Sequence, residues 1–336
     1  MSSRAMRLRW QKYAYLLALI CSPAQAVDQS GITVSGENSH YIDNRGLERD
    51  RLGARVQGQV GKDSSVDATF SRDHYMRQLN AAPEELRPDD AVSYERTDAS
   101  SISVSHNHTK TFSTRAFGAY SDGRGSYSRT WGAGFGYWFL HENWQFTLDA
   151  NRSLANRPET NFLDYDFEII EPSSVVDRKT VSVGLKQLAS PKTIVDYGIA
   201  YSVQKNRPDT QSYSTKIKQH IAALKGSFHL GVNRSINTGE IATETAYGEV
   251  TSWKVEPAYL QNVSKQTIAR VGYRYYREDE TTRAYGDELT FGSDLLSLGV
   301  SHQMTPSTQV DWGLSRYVTN TDLVADIVEF GLTSGF

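Results

Sequence analysis

Residues whose types and spacing could support chemistry occur at three places in this chain. His106 and His108 are two residues apart, so in a strand they would share one face and could bind a metal ion. No third ligand is evident, which favours solvated turn residues instead. Ser301 and His302 are adjacent and would point to opposite faces of a strand, which argues against a catalytic dyad. The acidic run 278–280 could bind divalent cations, but a solvated loop also accounts for it.

The motifs of common enzyme classes do not occur in the sequence. There is no Gly-x-Ser-x-Gly, no His-Glu-x-x-His, no P-loop and no dinucleotide-binding glycine pattern. We therefore expect neither an active site nor a cofactor or metal site. The chain has 39 acidic and 36 basic residues, and this mild acidity argues against nucleic acid as a partner.

Charged residues recur instead at alternate positions of short segments. In 51–60, 131–139 and 195–202, apolar residues alternate with charged, polar or glycine residues. Because a charge at the bilayer midplane costs about 2–4 kcal/mol, the apolar set should face lipid and the other set an interior. The predicted interior residues are Arg51, Arg55, Asp67, Arg115, Asp149, Lys186, Asp196, Lys254, Glu256, Arg270, Arg274, Asp311 and Glu329.

These interior charges allow two interpretations. They could form a charged constriction that biases permeation, with Asp67, Asp196 and Asp311 just inside the short turns of three repeats. Alternatively, they could form salt bridges that stiffen a water-filled barrel. Because both signs are present, the sequence gives no ion preference.

Short turns divide most of the chain into hairpins. Seven of them lie near 61–64, 107–110, 141–143, 190–192, 225–226, 263–265 and 305–307. Longer polar segments separate the hairpins, at 76–92, 121–128, 154–177, 205–214, 237–248 and 278–287. Short turns at one edge and long loops at the other are typical of bacterial outer-membrane barrels.

The hairpins predict the strand number. Together with a first and a last strand they give sixteen; the first strand and the 215–236 hairpin have the weakest patterns, and fourteen is the alternative. The expected fold is an all-β, antiparallel, up-and-down transmembrane barrel. The predicted strands are 31–42, 49–60, 65–75, 95–106, 111–120, 129–140, 144–153, 179–188, 193–204, 215–224, 227–236, 249–261, 266–277, 288–302, 308–318 and 324–336.

The amino terminus has the pattern of an export signal. Four basic residues precede a short apolar run, Tyr13 to Cys21, and an Ala-x-Ala site ends at Ala26. The run is far shorter than the roughly 20 residues that a spanning helix needs. We predict a cleavable signal peptide at 1–26 and a barrel at 27–336. Cleavage would remove the only cysteine and change the net charge from −3 to −7.

The last segment, 324–336, alternates apolar Val328, Phe330 and Leu332 with polar or small residues and ends on Phe336. A final strand of this pattern resembles the closing strand of Gram-negative outer-membrane β-barrels, which the barrel-assembly machinery reads. With the repeated turn, Ser/Thr and apolar-Asp-aromatic-Gly pattern, the chain is similar to outer-membrane β-barrel porin families, including those associated with exopolysaccharide export.

The resemblance implies a location and a function. We expect a porin in the bacterial outer membrane that contacts lipid and lipopolysaccharide and passes small solutes. The alternatives are an accessory or conduit for surface polysaccharide export and, less favoured, a barrel hydrolase. Porin-like barrels are often trimers, so the resemblance also implies a homotrimer.

Overall fold

The computed structural model describes residues 31–44, 47–78, 92–123, 126–156, 175–204, 209–238, 250–281 and 288–335. Sixteen strands account for nearly all of them. They are β1 (Thr33–Asp43), β2 (Leu47–Gln59), β3 (Ser64–Gln78), β4 (Val92–Asn107), β5 (Phe112–Gly123), β6 (Ser126–Phe139), β7 (Trp144–Asn156), β8 (Val175–Ser190), β9 (Thr193–Gln204), β10 (Asp209–Ile221), β11 (Gly226–Thr238), β12 (Val250–Asn262), β13 (Thr267–Thr281), β14 (Glu288–Thr305), β15 (Thr308–Thr319) and β16 (Val324–Gly335).

The strands form a closed antiparallel barrel in which each pairs with its neighbours in sequence and β1 pairs with β16. Closure leaves no unpaired strand edge. The predicted fold class and the strand number of sixteen are therefore confirmed. Among the described residues, no helix has the length and apolarity that crossing a membrane would require.

The two faces of the wall differ in chemistry because the side chains alternate along each strand. One large concavity is lined by charged side chains such as Arg51, Arg55 and Arg274, which identifies this face as the inner one. The opposite face carries bare apolar side chains. Trp312 is 67% exposed, Leu314 is 54% exposed and Val328 is 53% exposed. A continuous exposed apolar belt requires an apolar surrounding.

Strand boundaries differ from the prediction mainly at the end with the long connections. The segment 121–128 was expected to be a loop, but β5 runs to Gly123 and β6 starts at Ser126. Most of 205–214 likewise belongs to β10, which starts at Asp209. Polar composition does not end a strand there, because both faces of the wall meet water above the apolar belt.

The opposite end of β10 was also misplaced. The prediction extended this strand to residue 224, but β10 ends at Ile221 and a 3₁₀ turn, Ala222–Leu224, follows. Lys225 then adopts a left-handed conformation with φ of 49°. The apolar run from Ile221 to Leu224 resembles a strand in sequence, whereas it forms the turn to β11.

Candidate functional site

The structure places all thirteen predicted interior residues on the inner face. The register shows this directly: Asp67 lies opposite Gln57, and Asp196 lies opposite Lys186. Gly134 lies between Arg115 on one neighbouring strand and Asp149 on the other. The placement follows from period-two alternation within strands whose pairing is regular. Whether these residues act on permeating solutes stays a prediction.

Acid–base pairs link adjacent strands in one part of this wall. Arg55 Nε donates to Asp67 Oδ1 at 2.9 Å, and Gln57 Nε2 donates to Asp67 Oδ2 at 3.0 Å. Arg115 Nη2 donates to Asp149 Oδ1 at 2.7 Å. The arginine side chains are about half exposed, so each pair contributes only about 0–1 kcal/mol to stability. These pairs fit the salt-bridge interpretation.

Cations predominate on the inner face from β8 to β13. Glu256 is shared by two of them, with Lys254 Nζ 3.0 Å from Oε2 and Arg274 Nε 2.5 Å from Oε1. Lys186 Nζ is 3.8 Å from Asp196 Oδ1. This sector of the wall therefore contains more cations than carboxylates that could neutralise them.

Three further cations of this sector line one cavity and have no ion-pair partner among the residues that the structure describes. They are Lys216, Lys218 and Arg270, and they line a cavity of about 410 Å³ together with His229 and the ion-paired carboxylates of Asp196 and Glu256. Neutralised pairs exert little field at a distance, so these uncompensated charges dominate what a solute would meet here. We call β8 to β13 the basic wall.

Acidic side chains predominate on the inner face of β15, β16 and β1. Asp311 Oδ1 accepts from Gln309 Nε2 at 2.8 Å and has no cation beside it among the described residues. Glu329 has no ion-pair partner within the same residues, and Glu37 Oε1 is 3.7 Å from Arg51 Nε. We call these three strands the acidic wall.

Glycines provide the space for these carboxylates. A β-carbon at Gly313 would lie 2.9 Å from Glu329 Oε2, and one at Gly53 would lie 2.6 Å from Glu37 Cγ. Gly331 faces Asp311 across the β15–β16 pair and Glu37 across the β1–β16 pair. The acidic side chains therefore lie against bare backbone rather than packing against larger neighbours.

The basic and acidic walls meet in one cavity of about 840 Å³. Arg270 and Arg274 line it on one side, and the acidic wall lines it on the other, with Arg51 and Arg55 of β2 beyond that wall. Between them β14 contributes Ser297, Gly299 and Ser301, none of which is charged. A solute in this cavity would therefore meet cations on one side and, across a small-residue floor, carboxylates that are followed by Arg51 and Arg55.

The predicted group of three aspartates near the short turns is part of a mixed ring. Asp67, Asp196 and Asp311 are each the fourth residue of their strands. The fourth residues of β5 and β13 are Arg115 and Arg270, which also face inward. The ring therefore contains both signs rather than carboxylates alone.

Several inner-face charges were missed by the sequence interpretation. Lys216 and Lys218 fell near the start of a strand that was predicted six residues too late, although their period-two spacing around Ile217 was a usable signal. Arg49 and Asp73 form an ion pair of 3.0 Å on the inner face of β2 and β3. Glu37 was missed because β1 has weak alternation.

The histidines singled out by spacing have simple surroundings. His106 Nδ1 lies 2.8 Å from Ser64 Oγ, and His108 Nε2 lies 2.9 Å from Thr114 Oγ1. No group of three or more potential metal ligands occurs in the part of the chain that the structure describes. Ser301 faces the lumen and His302 the exterior, as adjacent residues of a strand must.

No family model and no curated protein sequence matches this chain. Solved structures do match its fold. One is named a bacterial polysaccharide outer membrane secretin, with 12% identity, a TM-score of 0.57, and coverage of 92% of this chain and 100% of the other. OccAB3 of Acinetobacter baumannii (10% identity) and a BenF-like porin of Pseudomonas fluorescens Pf-5 (7%) both match with a TM-score of 0.51 and the same coverage. At such identities the likeness concerns the fold alone.

Proposed function

We propose that the protein is a porin of the bacterial outer membrane through which small hydrophilic solutes diffuse. The observation that carries the proposal is the closed wall of sixteen strands, apolar outside and charged inside. Such a wall suits lipid on one side and water on the other. The fold shared with OccAB3 and the BenF-like porin supports the same function.

The arrangement of charge suggests a preference within that class. Uncompensated Lys218 and Arg270 lie on the basic wall, and Asp311 and Glu329 lie on the acidic wall. A solute that carries both signs can satisfy both walls at once, whereas a simple anion or cation is attracted by one and repelled by the other. We therefore propose zwitterionic or strongly dipolar small molecules as the favoured solutes.

Planar-bilayer recording of the refolded protein tests the pore. We expect steady open channels with weak ion selectivity, because the two walls offset each other. The double variant Lys218→Gln/Arg270→Gln should shift the reversal potential towards cation selectivity. The matched variant Asp311→Asn/Glu329→Gln should shift it in the opposite direction.

Two results would contradict this proposal. A folded protein that never conducts is not an open porin, and equal shifts in one direction would show that the walls do not act as assigned. Heat-modifiable migration on a gel is the folding control, because folded barrels usually migrate differently before and after boiling.

A conduit for polysaccharide export is the second candidate function. It is favoured by one observation, the matched structure named a polysaccharide outer membrane secretin, with its TM-score of 0.57. Blockade of the channel current by long acidic polysaccharide, with no blockade by small zwitterions, would favour this candidate over the porin.

Export and assembly complete the proposal. Residues 1–26 would be removed as a signal peptide, and the barrel-assembly machinery would read β16 together with Phe336. Both 1–26 and Phe336 lie outside the described residues. A mature amino terminus at Val27 in outer-membrane fractions is the expected result, and the mass of the detergent-solubilised protein would test for a trimer.

A further inference from the structure

Arginine and tyrosine alternate around the outer face of the barrel at one level. The ninth residue of each odd-numbered strand from β3 to β15 is either arginine or tyrosine. In order they are Arg72, Tyr120, Arg152, Tyr201, Arg234, Tyr275 and Arg316. Eight residues of tilted strand rise about 20 Å above the short turns, close to the far edge of an apolar band of about 25 Å.

One sector of this level contains a dense group of cations. Arg129 of β6, Arg152 of β7 and Lys179 of β8 are exposed on the outer face of three adjacent strands. Neighbouring strands lie about 4.8 Å apart, and Arg129 lies two residues beyond Trp131, the residue opposite Arg152, so the backbone positions of the three cations fall within about 12 Å of one another. We call these three residues the cation patch.

Aromatic rings hold two of these guanidinium groups. The guanidinium carbon of Arg129 lies 5.8 Å from the ring centroid of Tyr120 and 5.6 Å from that of Tyr127. The guanidinium carbon of Arg152 lies 5.9 Å from the ring of Trp131. These contacts fix the positions of the two cations; the hydrogen-bond donors of Arg129 stay available, whereas Arg152 Nε and Nη2 donate to Asp177.

The cation patch has an unfavourable charge balance. Arg152 and Lys179 lie directly opposite each other in the β7–β8 pair, where like charges destabilise a sheet. Asp177 accepts a hydrogen bond of 2.8 Å from Arg152, but no carboxylate in the described part of the chain lies within ion-pair distance of Arg129 or Lys179. An anion from outside the protein would relieve this repulsion.

We propose that the cation patch binds the phosphate groups of lipid A, the membrane anchor of lipopolysaccharide. Lipid A has phosphates at both ends of an acylated disaccharide, which suits several cations spread over three strands. Arginine and lysine form charge-assisted hydrogen bonds with phosphate oxygens. Tyr and Trp are enriched at the membrane–water interface. In the proposed orientation the long connections face outward. The cation patch, which lies near them, would therefore contact the outer leaflet of the membrane.

The test compares binding of defined lipids to the purified, folded barrel in detergent by native mass spectrometry. The variant Arg129→Gln/Lys179→Gln removes the two cations without a carboxylate partner. The control Arg234→Gln/Arg316→Gln removes the same charge from the same level, but from strands without such a patch. We expect the first variant to lose at least about tenfold in affinity for lipid A and the control to change less than about twofold.

Lipid chemistry provides the second arm of the test. Dephosphorylated lipid A should bind to the wild type as weakly as lipid A binds to the first variant. Equal binding of the dephosphorylated form, or an unchanged first variant, would overturn the proposal. Equal saturation by phosphatidylglycerol would overturn the assignment to lipid A and leave a general lipid-phosphate site.

Lipid binding and conduction are separate readouts. Both variants alter the outer face only, so their single-channel conductance should equal that of the wild type. A barrel that binds lipid A but does not conduct would contradict the porin proposal alone, whereas a conducting barrel without phosphate-dependent binding would contradict this inference alone.

Discussion

Single glycines on the inner face decide whether the charge network can form. Gly134 faces Asp149, whose carboxylate accepts the hydrogen bond from Arg115. A β-carbon at Gly134 would lie 1.9 Å from Asp149 Oδ1 and 2.6 Å from the carbonyl oxygen of Leu148. The second contact is with backbone, so moving a side chain cannot relieve it. The absence of one methyl group thus permits this ion pair.

Gly134→Ala should therefore lower the free energy of unfolding by about 1–3 kcal/mol, the usual cost of overpacking. Gly231→Ala is the matched control, because that glycine also lies on the inner face of a strand but a β-carbon there meets nothing closer than 3.8 Å. Urea unfolding in micelles, followed by tryptophan fluorescence, measures both. Equal midpoints for the two variants would show that Gly134 is not constrained by space.

At the scale of strands, the alternation of apolar and polar residues made the barrel predictable. The turn residues limited how accurately the strand boundaries could be predicted. Trp131, Phe135 and Tyr137 alternate with three glycines, and β6 has its faces as predicted. Lys225 could not be predicted in a left-handed turn, because lysine has no special preference for that conformation. The predicted inner-face residues followed directly from the period, whereas Arg49 and Asp73 were missed even though their strands were placed correctly.

The outer face of β15 tests the position of the apolar belt. Leu314 lies in the middle of the apolar belt. Val318 lies four residues further along the same face of β15, near the long connections. Leu314→Arg should lower folding stability in a bilayer by about 2–4 kcal/mol, and Val318→Arg by about 0–1 kcal/mol, because the cost depends on depth. Folding titrations into lipid vesicles measure both changes. A larger loss of stability for Val318→Arg than for Leu314→Arg would show that the apolar belt lies closer to the long connections.

The whole barrel combines a nearly balanced interior with a separation of charge across it. The sequence predicted both signs but not their segregation, because Lys216, Lys218 and Glu37 were missed and because β1 joins the acidic wall only through its pairing with β16. Arg270 and Glu329 are 59 positions apart, yet both line one cavity. Only strand order and register bring the basic wall, the small-residue floor and the acidic wall side by side.

This separation predicts a dependence on ionic strength. The Debye length is about 30 Å at 0.01 M salt and about 3 Å at 1 M, so the field between the walls extends across the lumen only in dilute salt. A zwitterion should therefore enter vesicles faster than a neutral solute of equal size at low salt, and at the same rate at high salt.

Vesicle-swelling rates measure this difference, and Lys218→Gln/Arg270→Gln should abolish it in dilute salt. A preference that persisted at 1 M salt would require direct contact between solute and side chains, since a field across open water would then be screened. In that case the cavity lined by Arg270, Arg274 and Glu329 would act as a binding site rather than as an orienting field.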